Sequence, residues 1–264
     1  MRSFSGIPSS TSRMHLCANC DKRCKRLEWR TTYHRPSQKS LLARKIQVIR
    51  LSKSVPAPEI VAELAARTER FLALSAAGEP IPDSLARGYS TPAIKTLLRL
   101  ETADKCAYCE SKVSHIDYGD VEHIISKDAV PNLRYDFSNL TYACSICNNR
   151  KRNYHDEDLP LLNPYADDPS GHLHAAGPMV LGNAGSERGC VTTGQLRLNR
   201  SELLQRRAER IDRVQTLVRA WETATSAGSR QVIQNQIWLE CGSDSEFSFV
   251  VSAYVRSRGL QLPA

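Results

Sequence analysis

Two pairs of cysteines form the most specific chemical pattern in this sequence of 264 residues. Cys106 and Cys109 make one C-x-x-C pair, and Cys144 and Cys147 make the other. Two thiolates three positions apart on a tight turn can face one ion, so two such turns give a closed tetrahedral S4 site. A closed site has no coordination position left for a substrate. The spacing therefore predicts a structural Zn²⁺ whose binding contributes free energy to folding.

The cysteine pattern leaves alternative interpretations open. Four unrelated buried cysteines or a redox C-x-x-C would explain each pair separately, but two matched pairs favour zinc. Nine cysteines without a secretory leader argue against a disulfide scaffold. Cys17, Cys20 and Cys24 could bind a second metal ion if His15 or His34 supplied the fourth ligand.

The residues between the two pairs have the types that phosphodiester hydrolysis requires. Glu122 and His123 are adjacent in a strand-like segment, so they point to opposite faces unless the backbone bends. A neutral histidine can take a proton from water near pH 7. Asn139 precedes a leucine, and Asn148 directly follows the last cysteine. Carboxylate and amide oxygens suit a hard ion such as Mg²⁺, which would stabilise charge on the phosphate and the leaving oxygen.

This order of residues, from Cys106 to Asn153, resembles the HNH nuclease superfamily, whose fold is two strands and a helix around a metal ion. The resemblance implies that His123 is the general base and that Glu122 binds the catalytic divalent ion. It implies that Asn139 braces a loop through backbone hydrogen bonds. Asn148 stands where the family often has histidine, so the sequence is an H-N-N variant in which Asn148 is the second ligand. Asn149 is the alternative ligand if the register shifts by one.

A basic run follows these asparagines. Arg150, Lys151 and Arg152 lie on a predicted helix and are expected to hold the nucleic-acid backbone. His115 and His155 could be extra metal ligands, but a surface position is the favoured interpretation for both.

A narrower resemblance extends beyond the module, over roughly residues 91–220. It depends on the sequence LLNPYADDP at residues 161–169 and on Leu198-Asn199-Arg200, with Leu203 and Arg207. These features are similar to the HNH proteins of Septu-type and retron-associated anti-phage systems. That resemblance implies a nuclease that works beside a partner ATPase. The basic N-terminal arm departs from the pattern expected of that group.

The elements around the module are mainly helices. Apolar spacing predicts a helix over residues 58–77, ended by Gly78, and a second helix with Thr91 as its N-cap. Residues 159–198 are expected to be loops with short strands. An amphipathic helix is predicted over residues 199–227. Two further helices are predicted over 229–241 and 244–258.

The predicted fold class is therefore α+β, a mostly helical chain around a zinc-stapled ββα-metal module. Four segments are expected. Residues 1–55 form a basic, partly disordered arm, 56–104 a helical segment, 105–155 the HNH module, and 156–264 a loop-rich segment with the C-terminal helices.

Charge and hydropathy set the class of partner. Residues 1–53 carry 13 Lys or Arg against 2 Asp or Glu, a net of +11 in a chain whose total is +8. A basic arm on a slightly acidic body suits an anionic polymer. The sequence has no apolar run long enough to span a membrane and no secretory signal, so a cytoplasmic location is expected.

The leading functional hypothesis is a metal-dependent endonuclease that cuts DNA in phage defence. An RNA-cleaving HNH nuclease is the first alternative, because the same residues can hydrolyse either backbone. A zinc-dependent nucleic-acid-binding protein without catalysis is the second, and the Glu122–His123 pair argues against it.

Overall fold

The computed structural model describes residues 50–113 and 117–262. Helices dominate these ranges, and two small antiparallel sheets complete them. The helices are α1 Pro58–Ala77, α2 Asp83–Ala86, α3 Pro92–Glu101, α4 Ser145–Lys151, α5 Pro169–His172, α6 Glu187–Gln195, α7 Ser201–Thr223, α8 Ala227–Glu240 and α9 Ser248–Ser257. The strands are β1 Asp120–His123, β2 Leu140–Ala143, β3 Leu173–Ala176 and β4 Met179–Gly182, and short 3-10 turns span Pro131–Leu133 and Phe137–Asn139. The predicted fold class is confirmed, whereas the predictions for residues 1–49 and for His115 lie outside the described residues.

The first helices begin and end where their punctuating residues predict. Pro58 opens α1, where a missing N–H has no cost, and Gly78 closes it in the left-handed region at φ 67°. The Thr91 hydroxyl accepts from the backbone N–H of Ile94 and caps α3. Both helices turn apolar side chains inward, so they form one wall of the main core, together with the strands and the cysteine pairs.

The central module contains the two strands and one helix that the resemblance implies. Strands β1 and β2 pair antiparallel, with Glu122 opposite Thr141 and His123 opposite Leu140. Helix α4 follows β2 directly, and its N-cap is Cys144, whose Sγ accepts from the backbone N–H of Cys147. This connection places the second cysteine pair at the start of the helix and Asn148 directly after it.

The C-terminal half contains a hairpin and a small helical bundle. Strands β3 and β4 pair antiparallel. Helix α7 packs against α8 and α9 around a second core of Val214, Val218, Ile237, Cys241, Val251, Val255 and Leu260. Residues 159–198 were predicted to be loops with short strands, and this is incomplete. Helix α6 forms there because the Ser186 hydroxyl accepts from the N–H of Gly189 and caps it.

The LLNPYADDP loop is held from several sides. The Arg188 guanidinium forms a two-pronged ion pair with Asp167, at 3.1 and 2.6 Å. The Tyr165 hydroxyl donates to the Glu101 carboxylate at 2.7 Å and lies 3.1 Å from the Thr141 hydroxyl. The loop therefore connects α6, α3 and β2. The polar side chains of Asp167 and Tyr165 stabilise the fold through these hydrogen bonds.

A segment before α1 packs on the same cluster. The Lys53 ammonium donates to Glu101 at 3.1 Å and to the Leu140 carbonyl at 2.5 Å. The same ammonium lies over the rings of Phe137 and Tyr165, 4.2 and 4.5 Å from their centroids. The Lys53 side chain is thus one of the contacts that hold residues 50–54 against the outer side of β2.

In the described ranges, no helix is both long enough and apolar enough to cross a membrane.

Candidate active site

The four central cysteines meet in one buried cluster, as the sequence predicts. The Sγ atoms of Cys106, Cys109, Cys144 and Cys147 all lie within 4.8 Å of one another. The sulfurs of Cys109 and Cys144 are 3.9 Å apart. A tetrahedral ZnS4 site with bonds of about 2.3 Å has sulfur–sulfur edges of about 3.8 Å. The donor set and its geometry therefore fit a structural zinc ion.

Neighbouring groups hold the cysteine cluster in place. The backbone N–H of Ala107 donates to the Tyr142 carbonyl at 2.9 Å. This bond attaches the first C-x-x-C pair, Cys106 and Cys109, to β2. The Arg200 guanidinium donates to the sulfurs of Cys147 and Cys109 at 3.8 and 3.9 Å. Because Arg200 is the N-cap of α7, the cluster also contacts the C-terminal bundle. An arginine beside four sulfurs offsets part of the negative charge of a zinc–thiolate centre.

Glu122 and Asn148 line the same open cavity. Glu122 lies on β1, and Asn148 lies on α4. The other lining residues are polar or basic, namely Ser126, Lys127, Asn149, Arg152 and Asn153. The cavity thus brings together the two predicted ligands of the catalytic ion and the fallback Asn149. Its polar and basic character suits a phosphate.

Glu122 is deeply buried and paired. Its side chain is 7 % exposed, and Oε1 lies 2.9 Å from the Lys151 ammonium. Burial raises the pKa of Glu122, and the Lys151 charge opposes that shift. The positive charge of Lys151 thus pairs with Oε1 of the Glu122 carboxylate, and Oε2 can still bind an ion.

The prediction that Lys151 holds the nucleic-acid backbone is wrong. The Lys151 side chain is 1 % exposed, and its ammonium also donates to the His123 carbonyl at 2.8 Å. The reason is helical periodicity, because Lys151 lies three residues after Asn148 and shares its inward face of α4. Arg150 and Arg152 are exposed, and only Arg152 lines the cavity.

His123 is the last residue of β1, directly after Glu122, and its side chain is buried. Its Nε2 lies 2.8 Å from the carbonyl oxygen of Arg134, which can only accept, so this nitrogen carries the proton and Nδ1 has the lone pair. The Tyr89 ring packs edge-on against the imidazole. Burial lowers the pKa of His123 to about 4, so the ring is neutral near pH 7.

Asn139 connects the end of β1 to the loop that follows it. Its Oδ1 accepts from the N–H of Ile125 at 2.8 Å, and its Nδ2 donates to the carbonyls of Ile125 and Leu133 at 2.9 and 3.2 Å. These are backbone hydrogen bonds of the kind that the bracing role requires. The effect of this bracing on catalysis stays a prediction.

Sequence reasoning missed two groups around the cavity. Asp120 lies two positions before Glu122, on the same face of β1, and its Oδ2 accepts from Asn148 Nδ2 at 2.9 Å. That bond orients the amide so that Oδ1 is the atom left for an ion. The alternation of Asp120 and Glu122 was the available signal. Lys127 lines the cavity, and a basic residue shortly after the acid–histidine pair was the corresponding signal.

Comparison with known proteins agrees with this geometry. Residues 106–154 match the model of a family described as HNH endonuclease. These residues form an HNH endonuclease domain. The HNH domain contains the cysteine cluster, both strands β1 and β2, and helix α4. The predicted resemblance to the HNH superfamily is therefore confirmed.

Two relatives extend the similarity beyond the HNH domain. The chain is 32 % identical over 117 residues to Septu protein PtuB of Bacillus thuringiensis, covering 44 % of this chain and 45 % of that protein. It is 30 % identical over 152 residues to Septu protein PtuB of Bacillus mycoides (strain KBAB4), covering 46 % of this chain and 52 % of that protein. The chain spans about half the length of the relatives it matches. The Septu part of the narrower resemblance is confirmed.

Proposed function

We propose that this chain is a metal-dependent endonuclease that hydrolyses phosphodiester bonds in DNA as an effector of phage defence. One observation carries the proposal. Glu122 and Asn148 line one basic cavity, while the adjacent His123 is a neutral imidazole whose protonated nitrogen is already bound to a carbonyl. This combination supplies an oxygen site for a divalent ion and a base of defined tautomer.

His123 acts as the general base in this mechanism. Its Nδ1 takes a proton from the attacking water, and the bond from Nε2 to the Arg134 carbonyl stabilises the imidazolium that results. A base of this kind contributes about 10²–10⁴ in rate. The low pKa of the buried ring keeps the base unprotonated across the neutral range.

Glu122 and Asn148 would hold the catalytic ion, for which Mg²⁺ is the expected identity. One carboxylate and one amide are hard oxygen donors, and they leave coordination positions for water and phosphate. A divalent ion bound there would stabilise negative charge on the phosphate and on the leaving oxygen. Asp120 orients the Asn148 amide through their hydrogen bond.

Basic side chains at the cavity receive the nucleic acid. Lys127 and Arg152 line the cavity, and Arg150 extends the positive charge along the exposed side of α4. Contacts of this type bind the phosphate backbone without reading its sequence. The net charge of +11 over residues 1–53 adds a second source of attraction for DNA.

The defence role and an ATPase partner follow from the resemblance to the Septu-type group. The two PtuB relatives support this context through their names. In this proposal the ATPase controls when the nuclease acts, so the isolated chain is less active than the pair.

A cleavage assay tests the proposed activity. The purified chain is incubated with supercoiled plasmid and, separately, with total RNA, with Mg²⁺ or with EDTA. We expect nicking or linearisation of plasmid that EDTA abolishes and that His123→Ala reduces by about 10²-fold or more. His155→Ala is the matched control, because it removes a histidine from outside the cavity lining and should leave cleavage unchanged.

Each outcome has a defined meaning. Cleavage of RNA alone would replace DNA as the substrate and keep the mechanism. Equal cleavage by wild type and His123→Ala would contradict the mechanism. Binding to nucleic acid without cleavage, even after addition of the proposed ATPase partner, would favour a non-catalytic zinc-dependent binding protein.

A further inference from the structure

Tyr89 contacts the histidine base although it lies outside the HNH domain of residues 106–154. The ring centroids of Tyr89 and His123 are 4.3 Å apart, and the ring planes cross at 73°. This edge-to-face arrangement is a favoured geometry for aromatic pairs and restricts rotation of both rings. Because His123 is only 4 % exposed, Tyr89 forms part of its immediate surroundings.

The same segment holds the carbonyl that fixes the histidine tautomer. Arg134, whose carbonyl accepts the hydrogen bond from His123 Nε2, donates from Nη1 to the Ala86 carbonyl at 3.2 Å. The next residue, Tyr135, donates its hydroxyl to the Leu85 carbonyl at 2.5 Å. Leu85 and Ala86 belong to α2, just before Tyr89. Residues 85–89 therefore contact both the ring of His123 and the loop that binds its Nε2.

Tyr89 also connects the base to the cavity. The Lys127 ammonium lies 5.3 Å from the centroid of the Tyr89 ring, within the range of a cation–π contact. Lys127 lines the cavity that contains Glu122 and Asn148. The Tyr89 ring thus contacts His123 on one side and the cavity-lining Lys127 on another.

We propose that Tyr89 is a positioning residue for the general base, a role that rests on the proposed nuclease function. Its ring keeps the His123 imidazole in the orientation from which Nδ1 takes the proton of the attacking water. The contact joins the two rings, so the aromatic ring and not the hydroxyl carries this role. Tyr89 accordingly belongs to the active site, although it precedes the HNH domain.

Kinetics of three variants test this role. In Tyr89→Leu we expect kcat on plasmid DNA to fall about 10-fold or more, with KM nearly unchanged, because misplacement of a catalytic group reduces the chemical step. Tyr89→Phe keeps the ring and should retain wild-type kcat within about twofold. Tyr254→Leu is the matched control, since it removes a half-buried tyrosine from the C-terminal core and should leave kcat unchanged.

Two kinetic results would overturn the proposal. If Tyr89→Phe loses as much kcat as Tyr89→Leu, the hydroxyl is the functional group. If Tyr89→Leu keeps wild-type kcat, the ring contact has no role in catalysis. Should Tyr89→Leu fail to fold, Tyr89→Met fills a similar volume with an unbranched, non-aromatic chain and takes its place.

A spectroscopic measurement separates this proposal from the activity itself. In protein labelled with ¹⁵N-histidine, the His123 signals are assigned by their absence from His123→Ala. Wild type and Tyr89→Phe should show one neutral tautomer with the proton on Nε2, and Tyr89→Leu should show a tautomer mixture or exchange-broadened signals. An unchanged spectrum in Tyr89→Leu would refute the positioning role even if the chain cleaves nothing. A changed spectrum with no cleavage by wild type would refute only the proposed function.

Discussion

The Lys151 ammonium lies 2.9 Å from the Glu122 carboxylate, and both side chains are almost fully buried. Lys151 is part of α4, and Glu122 is part of β1, so this ion pair joins the helix to the strand beneath it. The same ammonium donates to the carbonyl of His123. Lys151 thus holds both the backbone of His123, the proposed base, and the side chain of Glu122, the predicted metal ligand.

Removal of this lysine should destabilise the HNH domain. Lys151→Met leaves Glu122 buried without its partner, and breaking a buried pair from one side costs about 3 kcal/mol or more. Urea denaturation of the zinc-loaded protein measures this change. Arg150→Ala, one position away and exposed, should shift stability by no more than about 0.5 kcal/mol. Equal shifts in the two variants would contradict the structural role of Lys151.

Zinc content should follow the central cysteines. Cys147→Ser removes one ligand of the S4 cluster, so bound zinc should fall by one ion per chain relative to wild type, and the yield of folded protein should drop. Elemental analysis of the purified proteins gives the zinc content. Cys190→Ala is the control, because Cys190 is exposed and outside the cluster. The zinc assignment fails if Cys147→Ser keeps its zinc and melts like wild type.

Asp120 should tune the affinity for the catalytic ion. Asp120→Ala removes the acceptor that orients the Asn148 amide, and loss of such a partner weakens metal affinity by about 10–100-fold. The Mg²⁺ concentration for half-maximal cleavage should rise accordingly. Asp212→Ala, an exposed aspartate of α7, serves as the comparison and should leave that concentration unchanged. An Asp120→Ala curve identical to that of wild type would remove Asp120 from the site.

Asn139 should matter for both stability and rate. Asn139→Ala removes the partners of the N–H and C=O of Ile125 in part-buried hydrogen bonds, which should cost about 1 kcal/mol. Because the loop follows the base directly, kcat should fall as well. Thermal melting and single-turnover cleavage report the two effects. The neighbouring exposed Ser138 offers a control, and Ser138→Ala should change neither; a stable, fully active Asn139→Ala would show that the loop needs no brace.

The sequence predicted helix boundaries and the cysteine cluster correctly, because residues close together in the chain determine them. Gly78 and Thr91 set helix boundaries through backbone geometry and capping, which neighbouring residues decide. The cysteine spacing predicted the metal cluster because a C-x-x-C turn has a nearly fixed shape. Helix α6 was missed because its cap, Ser186, follows a glycine-rich stretch that reads as a loop.

Contacts between distant segments were beyond sequence reasoning. Lys151 looked like one of three equivalent basic residues, and only the packing of α4 on β1 separates it from Arg150 and Arg152. Tyr89 precedes His123 by a long stretch of chain, so nothing local indicates that their rings meet. The side chains that surround a catalytic group come from whichever elements pack there, and a linear pattern does not show that packing.

The bond from Arg200 to the cysteine sulfurs has a consequence for how the chain matures. Arg200 occupies the N-cap position of α7, the longest helix described, and its side chain contacts Cys147 and Cys109 directly. A chain that has not yet acquired its zinc would lack the anionic centre that anchors this helix. Metal uptake would then complete the C-terminal bundle and the HNH domain together, so the folding of these two parts would be coupled through one side chain.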